Sequence, residues 1–429
     1  MSGAEPPNLS GYDRARRSDD ELIAWLASGA HPRELAQYLS EAECRVLMPL
    51  ARAVANLPEA GARGTVLLLP GIMGTQLGLA RNAPWPHDLL WVDAVDISAG
   101  RLTELRLSAN AELRTLGGIS YSYLALQLRL RAAGFAITVW DYDWRQSLRS
   151  LGQSLAQCIR GIGSSLSIVA HSMGGLVTRA ALALDAGLPL QRVVTLGAPH
   201  LGTLGVVQAL RGTYPTVRRL AAIDELHSAE QLAQLVFSGF PSIYEMLPVR
   251  GTLSDIDLFD ATAWPAADPR PDAQQLQAAS GFQHAVAGAD ARFHCIAGIG
   301  QRTVTGLASG PEGFEYHISS DGDGTVPTPW ATLTGASNYF VNCEHSELPR
   351  SEAIASAVVE LLIDGRTARL PRSWRASAER VVRVSDAELR NTYNARVDWR
   401  MLSADERRSY LNRLNQAPPQ YSAAAGRPL

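Results

Sequence analysis

A chain of 429 residues with 46% hydrophobic content can bury a large core, and α/β folds often spend about 250 residues on one unit. A net charge of −3 argues against nucleic acid as the main partner. All 39 permanently basic side chains are arginine, which excludes lysine-based catalysis.

Residues 1–17 are polar and charged and read as disordered, with no apolar segment of the signal-peptide type. Residues 18–60 follow as a helical prefix, with apolar positions at helical spacing: Leu22, Ile23, Trp25 and Leu26, then Leu35 and Leu39, then Leu47 and Met48. Pro32 suits the first turn of the second helix, where its missing N–H costs little. Thr65-Val66-Leu67-Leu68-Leu69 is continuously apolar, as a strand buried on both faces must be. It ends in Pro70-Gly71-Ile72-Met73-Gly74-Thr75, where two glycines let backbone N–H groups approach a ligand; a plain Gly-rich turn fits equally.

Residues 76–118 form an excursion with Trp85, Pro86, Trp91 and the alternating run Arg101 to Leu107, for which a hairpin near the cleft is expected. A helix from Tyr121 to Ala133, a strand from Ala136 to Trp140 and a helix from about Leu148 to Ile159 come next. Strands alternating with helices at this spacing predict βαβ units and a mainly parallel, doubly wound sheet.

Ser167-Ile168-Val169-Ala170-His171-Ser172-Met173-Gly174-Gly175 is the centre of the pattern. An apolar strand turns sharply into a helix with a serine at the apex, so the flanking positions, Ala170 and Gly174, must be small. A serine at an ordinary strand-to-helix turn would look the same. After the next strand, Arg192 to Leu196, regularity is lost between about residues 204 and 291. A lid or cap belongs at this point of a doubly wound sheet, and a packed subdomain without gating is the other reading. Strands at Phe293 to Ile299 and Asn338 to Val341 and a helix at Glu352 to Leu362 close the domain at about residue 365. Residues 366–429 read as a flexible Arg-rich tail with one short helix near Ala404 to Leu414.

A serine hydroxyl needs a base to take its proton, and the base needs an acid to hold its tautomer. Asp323 and His345 follow Ser172 in the order Ser, acid, His that suits this fold, and His345 directly follows a strand-like run. Of the other eight histidines, His31 falls in the prefix, His87 in the excursion and His227 and His284 in the insertion, His171 adjoins the serine, His200 follows the wrong strand, and His294 and His317 precede the acid. Asp321 competes with Asp323; Asp323 is favoured because Gly322 and Gly324 hold it and Thr325 can hydrogen-bond beside it. A Ca²⁺ loop would need further acidic ligands. Neither a metal nor a cofactor is expected. Cys44, Cys158, Cys295 and Cys343 lack metal-ligand spacing; a Cys295–Cys343 pairing on neighbouring strands is conceivable, and buried free thiols fit better. No run of about 18 apolar residues occurs, so a cytoplasmic protein is expected, with export by a signal-independent route left open.

Taken together, the motifs resemble the lecithin:cholesterol acyltransferase-like branch of the α/β-hydrolases, with its lysosomal phospholipase A2 and phospholipid:diacylglycerol acyltransferase relatives. The matching pieces are Leu69 to Leu77, Tyr142-Asp143-Trp144-Arg145, Ala170 to Gly175, Pro241-Ser242-Ile243-Tyr244-Glu245-Met246-Leu247-Pro248 and Gly322 to Pro327, and they span about residues 64–363. The resemblance implies an α/β-hydrolase fold and acyl transfer from a lipid ester to Ser172, then to water or an alcohol. It further implies an oxyanion hole from the backbone N–H groups of Ile72 and Met173, and substrate contacts from Met73, Tyr244 and Met246. Transient membrane-surface contact through the lid would follow. Secreted members carry a cysteine pair in the excursion, and residues 76–118 contain no cysteine. Another serine esterase on the same fold, a triacylglycerol lipase or a glycolipid deacylase, shares the serine motif. A non-catalytic interaction protein is the third reading, against which the intact Ser, Asp and His set argues.

Overall fold

The computed structural model describes residues 17–36, 38–57, 63–79, 87–108, 112–163, 165–392 and 396–414. The expected disorder of 1–16, the excursion residues Trp85 and Pro86, and the end of the tail from 415 lie outside these. The strands run in chain order as β1 (Thr65–Leu69), β2 (Thr75–Leu79), β3 (Asp88–Trp91), β4 (Leu113–Gly118), β5 (Ala136–Val139) and β6 (Leu166–His171). They continue as β7 (Leu190–Leu196), β8 (Phe293–Ile299), β9 (Thr303–Gly310), β10 (Gly313–Ser319), β11 (Ser337–Asn342) and β12 (Val382–Ser385).

The main sheet has six strands in the order β11-β8-β7-β6-β1-β5, and every pairing in it is parallel. Parallel strands need crossovers, and helices fill both faces, which is why β1 and β6 are mostly apolar and almost wholly buried. The chain steps from β1 outward to β5, then returns past β1 to build β6, β7, β8 and β11. That reversal opens a crevice at the carboxyl ends of β1 and β6, the place where open α/β sheets bind ligands. The architecture is the α/β-hydrolase fold.

The prefix is helical. Ser18 and Ser40 each make a capping box, and Leu22, Leu26, Leu35, Leu39 and Leu47 bury against Leu124 and Leu128 of helix Ser120–Ala132. The excursion differs from the expected hairpin. It is a three-stranded antiparallel sheet, β3-β2-β4, and the alternating stretch, between β3 and β4, is a 3₁₀ helix, Arg101–Leu105. Arg101 reaches Asp88, Asp96 and Glu104 at 2.7–3.2 Å, and three carboxylates on one guanidinium hold the turn where alternation alone suggested a strand.

Between β7 and β8 the insertion is helical, with segments at Gly205–Leu210, Pro215–Ile223, Ala229–Leu235, Pro241–Glu245, Ala273–Ala279 and Phe282–Ala285. Leu210, Leu220, Phe237, Phe240 and Tyr244 belong to the same buried cluster as Leu67, Ile168 and Met173, so the cap and the sheet share one core. Glu245 fastens the cap from the other side. Its carboxyl accepts from the Leu148 amide and the Ser147 hydroxyl, at the start of helix Leu148–Ile162.

Residues beyond 366 are more than a tail with one helix. β12 adds to β10 in antiparallel register, Tyr316 opposite Val384, and helices Asp386–Thr392 and Ala404–Asn412 follow. Asp386 is fully buried, with Arg211 Nε at 3.0 Å, Tyr316 Oη at 2.7 Å and the Phe314 amide at 3.3 Å. Arg211 comes from the cap, and its guanidinium also donates to the carbonyls of Ala267 and Pro269. β9 and β10 pair as an antiparallel hairpin, so one ion pair ties the cap, this hairpin and the C-terminal segment together. Among the described residues no helix is long and apolar enough to cross a membrane.

Removing one partner of a buried ion pair leaves an uncompensated charge, so Asp386→Ala should lower stability by about 3–5 kcal/mol, read from the denaturant midpoint. Burial pushes the Glu245 carboxyl up to about 7, against the pull of its hydrogen bonds and Arg149. The fold thus binds that proton more tightly than the unfolded chain, which favours folding below the ordinary carboxyl range and loses the advantage as pH rises towards neutrality. Glu245→Gln should accordingly flatten the fall in melting temperature between about pH 5 and about pH 8.

Candidate active site

The register Leu69 opposite Ala170 sets the ends of β1 and β6 side by side, so the turn at Gly71 lies against Ser172. Ser172 sits at φ 52° and ψ −123°, a left-handed conformation that costs a non-glycine residue about 1–3 kcal/mol. The strain persists because the surroundings leave no room to relax. A Cβ on Gly174 would stand 2.9 Å from Leu69 Cβ and from Pro70 O, and one on Gly71 would stand 2.9 Å from Ser172 Cβ. The Ser172 amide donates to Leu196 O at 2.9 Å, which pins the apex to β7.

The structure brings Ser172, Asp323 and His345 together across 173 positions of chain. His345 Nε2 is 2.9 Å from Ser172 Oγ, and His345 Nδ1 is 2.7 Å from Asp323 Oδ2. The carboxylate can only accept, so Nδ1 carries the proton and Nε2 is free to receive one from the serine. Asp323 is held on its far side by the amides of Thr325 and Val326, at 2.9 and 2.7 Å, and its own carbonyl accepts from the His345 amide at 2.8 Å. Thr325 therefore contributes its amide to the carboxylate. Asp321 is engaged elsewhere, with the Ser377 amide at 2.6 Å and the Ser319 hydroxyl at 3.2 Å. All three residues of the constellation are buried, Ser172 at 5%, Asp323 at 1% and His345 at 8% exposure, so their charges act with little competition from water.

Beside the serine, the turn after β1 is shaped for donation. Met73 has φ 61°, and its carbonyl accepts from Trp91 Nε1 at 2.9 Å. Among the described residues, no protein acceptor engages the amides of Ile72 or Met173. Met173 is the first residue of its helix, where such an amide has no intrahelical partner and faces anions. The segment Tyr142-Asp143-Trp144-Arg145 braces this turn. Tyr142 Oη donates to Pro70 O, Trp144 Nε1 donates to Thr75 O at 3.0 Å, and Arg145 grips Asp143 with two bonds of 2.8 Å. The segment from Pro241 to Pro248 braces it in turn, through Ser242 Oγ on Trp144 O at 2.6 Å.

The expected substrate contacts separate. Met73 lines a small cavity of about 80 Å³ together with Trp91, Tyr121, Leu411 and Leu414. Tyr244 and Met246 do not line it; their side chains are buried in the cap, where Tyr244 Oη donates to Ser238 O and accepts from the Asp272 amide, each at 2.9 Å. The cysteines are free thiols, with Cys295 buried beside His200 at 3.7 Å. Among the described residues no group of three His, Cys, Asp or Glu side chains is arranged to hold a metal ion. Sequence reasoning passed over Tyr123, which touches both Gly71 and His171. At helical spacing a tyrosine reads as one more apolar position, and only its hydroxyl sets it apart.

A family described as "Putative serine esterase (DUF676)" matches residues 148–239, a stretch that contains Ser172 and stops before Asp323 and His345. None of the curated proteins compared matches the chain. Similar solved structures include the Tle4–Tli4 complex, at 14% identity over 70% of this chain and 98% of that chain, with a TM-score of 0.43. Bacillus licheniformis lipase BlEst2 in its mature form is similar at 14% identity over 72% of this chain and 94% of that chain, TM-score 0.38. The Vlm2 thioesterase domain is similar at 12% identity over 70% of this chain and 93% of that chain, TM-score 0.24.

Gly71 gives a direct test of the crowding at the serine. Gly71→Ala should cut kcat/KM on an ester by about 100-fold, since displacement of the elbow by a fraction of an ångström misaligns the reacting atoms. A melting curve close to wild type, measured alongside, distinguishes this from unfolding.

Proposed function

We propose that the chain is a serine-dependent lipid acyl hydrolase or O-acyltransferase in which Ser172, His345 and Asp323 act as nucleophile, base and acid. The observation that carries the reading is the pair of hydrogen bonds through His345, 2.9 Å to Ser172 Oγ and 2.7 Å to Asp323 Oδ2, at a strained turn. Ser172 Oγ attacks the ester carbonyl carbon as His345 Nε2 takes its proton, and the Asp323 carboxylate stabilises the imidazolium. The amides of Ile72 and Met173 receive the developing oxyanion; each such donor lowers the barrier by about 2.7–4 kcal/mol. The tetrahedral intermediate expels the alcohol, which takes the proton from His345. Water or a second alcohol, deprotonated by the same nitrogen, then attacks the acyl-enzyme and frees Ser172.

Several features support a lipid ester as substrate. The five motifs shared with the lecithin:cholesterol acyltransferase-like branch interlock around the turn, and the cap above it is apolar inside. In this reading Met73 contacts the substrate, and Tyr244 and Met246 shape the site through the packing of the cap. The cap's outer surface offers the transient membrane contact. A general serine esterase is the second reading, favoured by the family match at residues 148–239.

A fluorophosphonate probe should label wild type and fail to label Ser172→Ala. Absence of labelling on wild type would sink both readings. His345→Ala should stay folded and lose several orders of magnitude in acyl transfer. A panel of phospholipid, triacylglycerol and glycolipid esters, run with and without an added long-chain alcohol, separates lipid from general esterase activity and transfer from hydrolysis.

A further inference from the structure

His171 precedes the candidate nucleophile and points away from it, into a closed chain of hydrogen bonds. Its Nε2 lies 3.0 Å from the carbonyl oxygen of His345, and its Nδ1 lies 3.0 Å from Tyr123 Oη. Tyr123 Oη in turn accepts the Gly71 amide at 2.9 Å. One proton assignment satisfies every member. A carbonyl only accepts, so Nε2 of His171 carries the hydrogen; Nδ1 is then a bare lone pair and accepts from the Tyr123 hydroxyl; the phenol oxygen still has a lone pair for Gly71.

The surroundings keep those protonation states in place. Burial, reinforced by the neighbouring His345, lowers the His171 pKa to about 3, so the ring stays neutral across the working range. Burial pushes the Tyr123 phenol up, so it remains a donor. The rings of His171 and His345 lie 4.8 Å apart between centroids, and Tyr123 meets His171 edge to face at 5.9 Å. A neutral His171 at that separation adds no repulsion when His345 becomes an imidazolium.

We propose that Tyr123 and His171 form a positioning relay that couples the turn at Gly71, the serine elbow and the backbone of the base loop at His345. The inference rests on the reading of Ser172 and His345 as nucleophile and base. Three loops after three different strands must agree to within a fraction of an ångström; the elbow and the base loop meet only at the reacting pair, Ser172 and His345, and among the described residues no backbone–backbone hydrogen bond joins the three loops. The relay supplies that link. Gly71 adjoins Ile72, His171 adjoins Ser172, and the His345 carbonyl belongs to the base itself. Neither Tyr123 nor His171 touches the reacting atoms in this arrangement. Their loss acts on geometry at the bond-making step and leaves ground-state binding alone.

Tyr123→Phe keeps the ring and removes the bridging hydroxyl; His171→Gln keeps one donor and one acceptor; His171→Phe keeps neither. Each is measured for kcat and KM on a soluble ester, for the rate of fluorophosphonate labelling, and for the fraction of protein that can be labelled to completion. The expected result is a fall of about 10- to 100-fold in kcat and in labelling rate for Tyr123→Phe and His171→Phe, with KM within about threefold and complete labelling. His171→Gln should recover part of the rate. The double variant Tyr123→Phe with His171→Phe should be hardly slower than the worse single one, because both break the same chain. The relay is overturned if Tyr123→Phe and His171→Phe keep labelling rates within about threefold of wild type, or if the lost rate only tracks a lost labelled fraction. Additive losses in the double variant also overturn it. Should Tyr123→Phe not fold, His171→Gln against His171→Phe decides alone: equal rates overturn the relay. Wild type that takes no label at all refutes the nucleophile assignment instead, so the two failures are told apart.

Discussion

Everything near the candidate site depends on holding Ser172 in a backbone conformation it would not choose. At φ 52° the serine is strained, and the strain is contained by β7 behind it, by Gly174 under it and by the Gly71 turn beside it. The small residues along the motif follow from this crowding. So does the placement of Oγ beside His345, because a relaxed turn would lay the side chain back along the sheet. A left-handed Met73 in the facing turn shows the same arrangement from the other side, with a non-glycine backbone pinned by the Trp91 indole.

The motifs that are far apart in the chain are neighbours in space, and each braces the next. Tyr142 and Trp144 hold the carbonyls of Pro70 and Thr75. Ser242 of the cap holds the carbonyl of Trp144, and Glu245 caps the helix that begins at Leu148. Thr203, after β7, receives support from both sides: its amide donates to Met246 O, and its hydroxyl donates to Thr325 O beside Asp323. The cap is thereby fastened to the turn and to the acid loop at once. Its apolar residues run into the core of the sheet, so it behaves as a built part of the domain more than as a loose flap.

The C-terminal segment extends the same logic. A buried Arg211–Asp386 pair is expensive to desolvate and is tolerable only with its remaining donors and acceptors satisfied. Tyr316, the Phe314 amide and two cap carbonyls satisfy them. The pair orients cap, hairpin and C-terminal segment relative to one another. Leu411 and Leu414 then reach the cavity that Met73 lines, so residues far from the main domain in sequence contribute to its surface near the turn.

Periodicity and local chemistry determined a good deal. Buried parallel strands read directly as apolar runs, the prefix helices showed in their apolar spacing, and a serine between small residues marked the elbow. The order of Ser172, Asp323 and His345 along the chain was legible because the fold admits few arrangements of them. Tertiary structure decided what local signals do not encode. Arg101 turned an alternating stretch into a 3₁₀ helix by gathering three carboxylates, two of them from outside it. An Arg-rich, Pro-punctuated segment looked like a tail until Asp386 found Arg211. Tyr123 looked like a core residue until its hydroxyl met Gly71 and His171. In each case the deciding interaction joins residues distant in sequence through a directional polar contact in a dry interior. Such contacts leave no period in the chain, so composition and spacing alone do not reveal them.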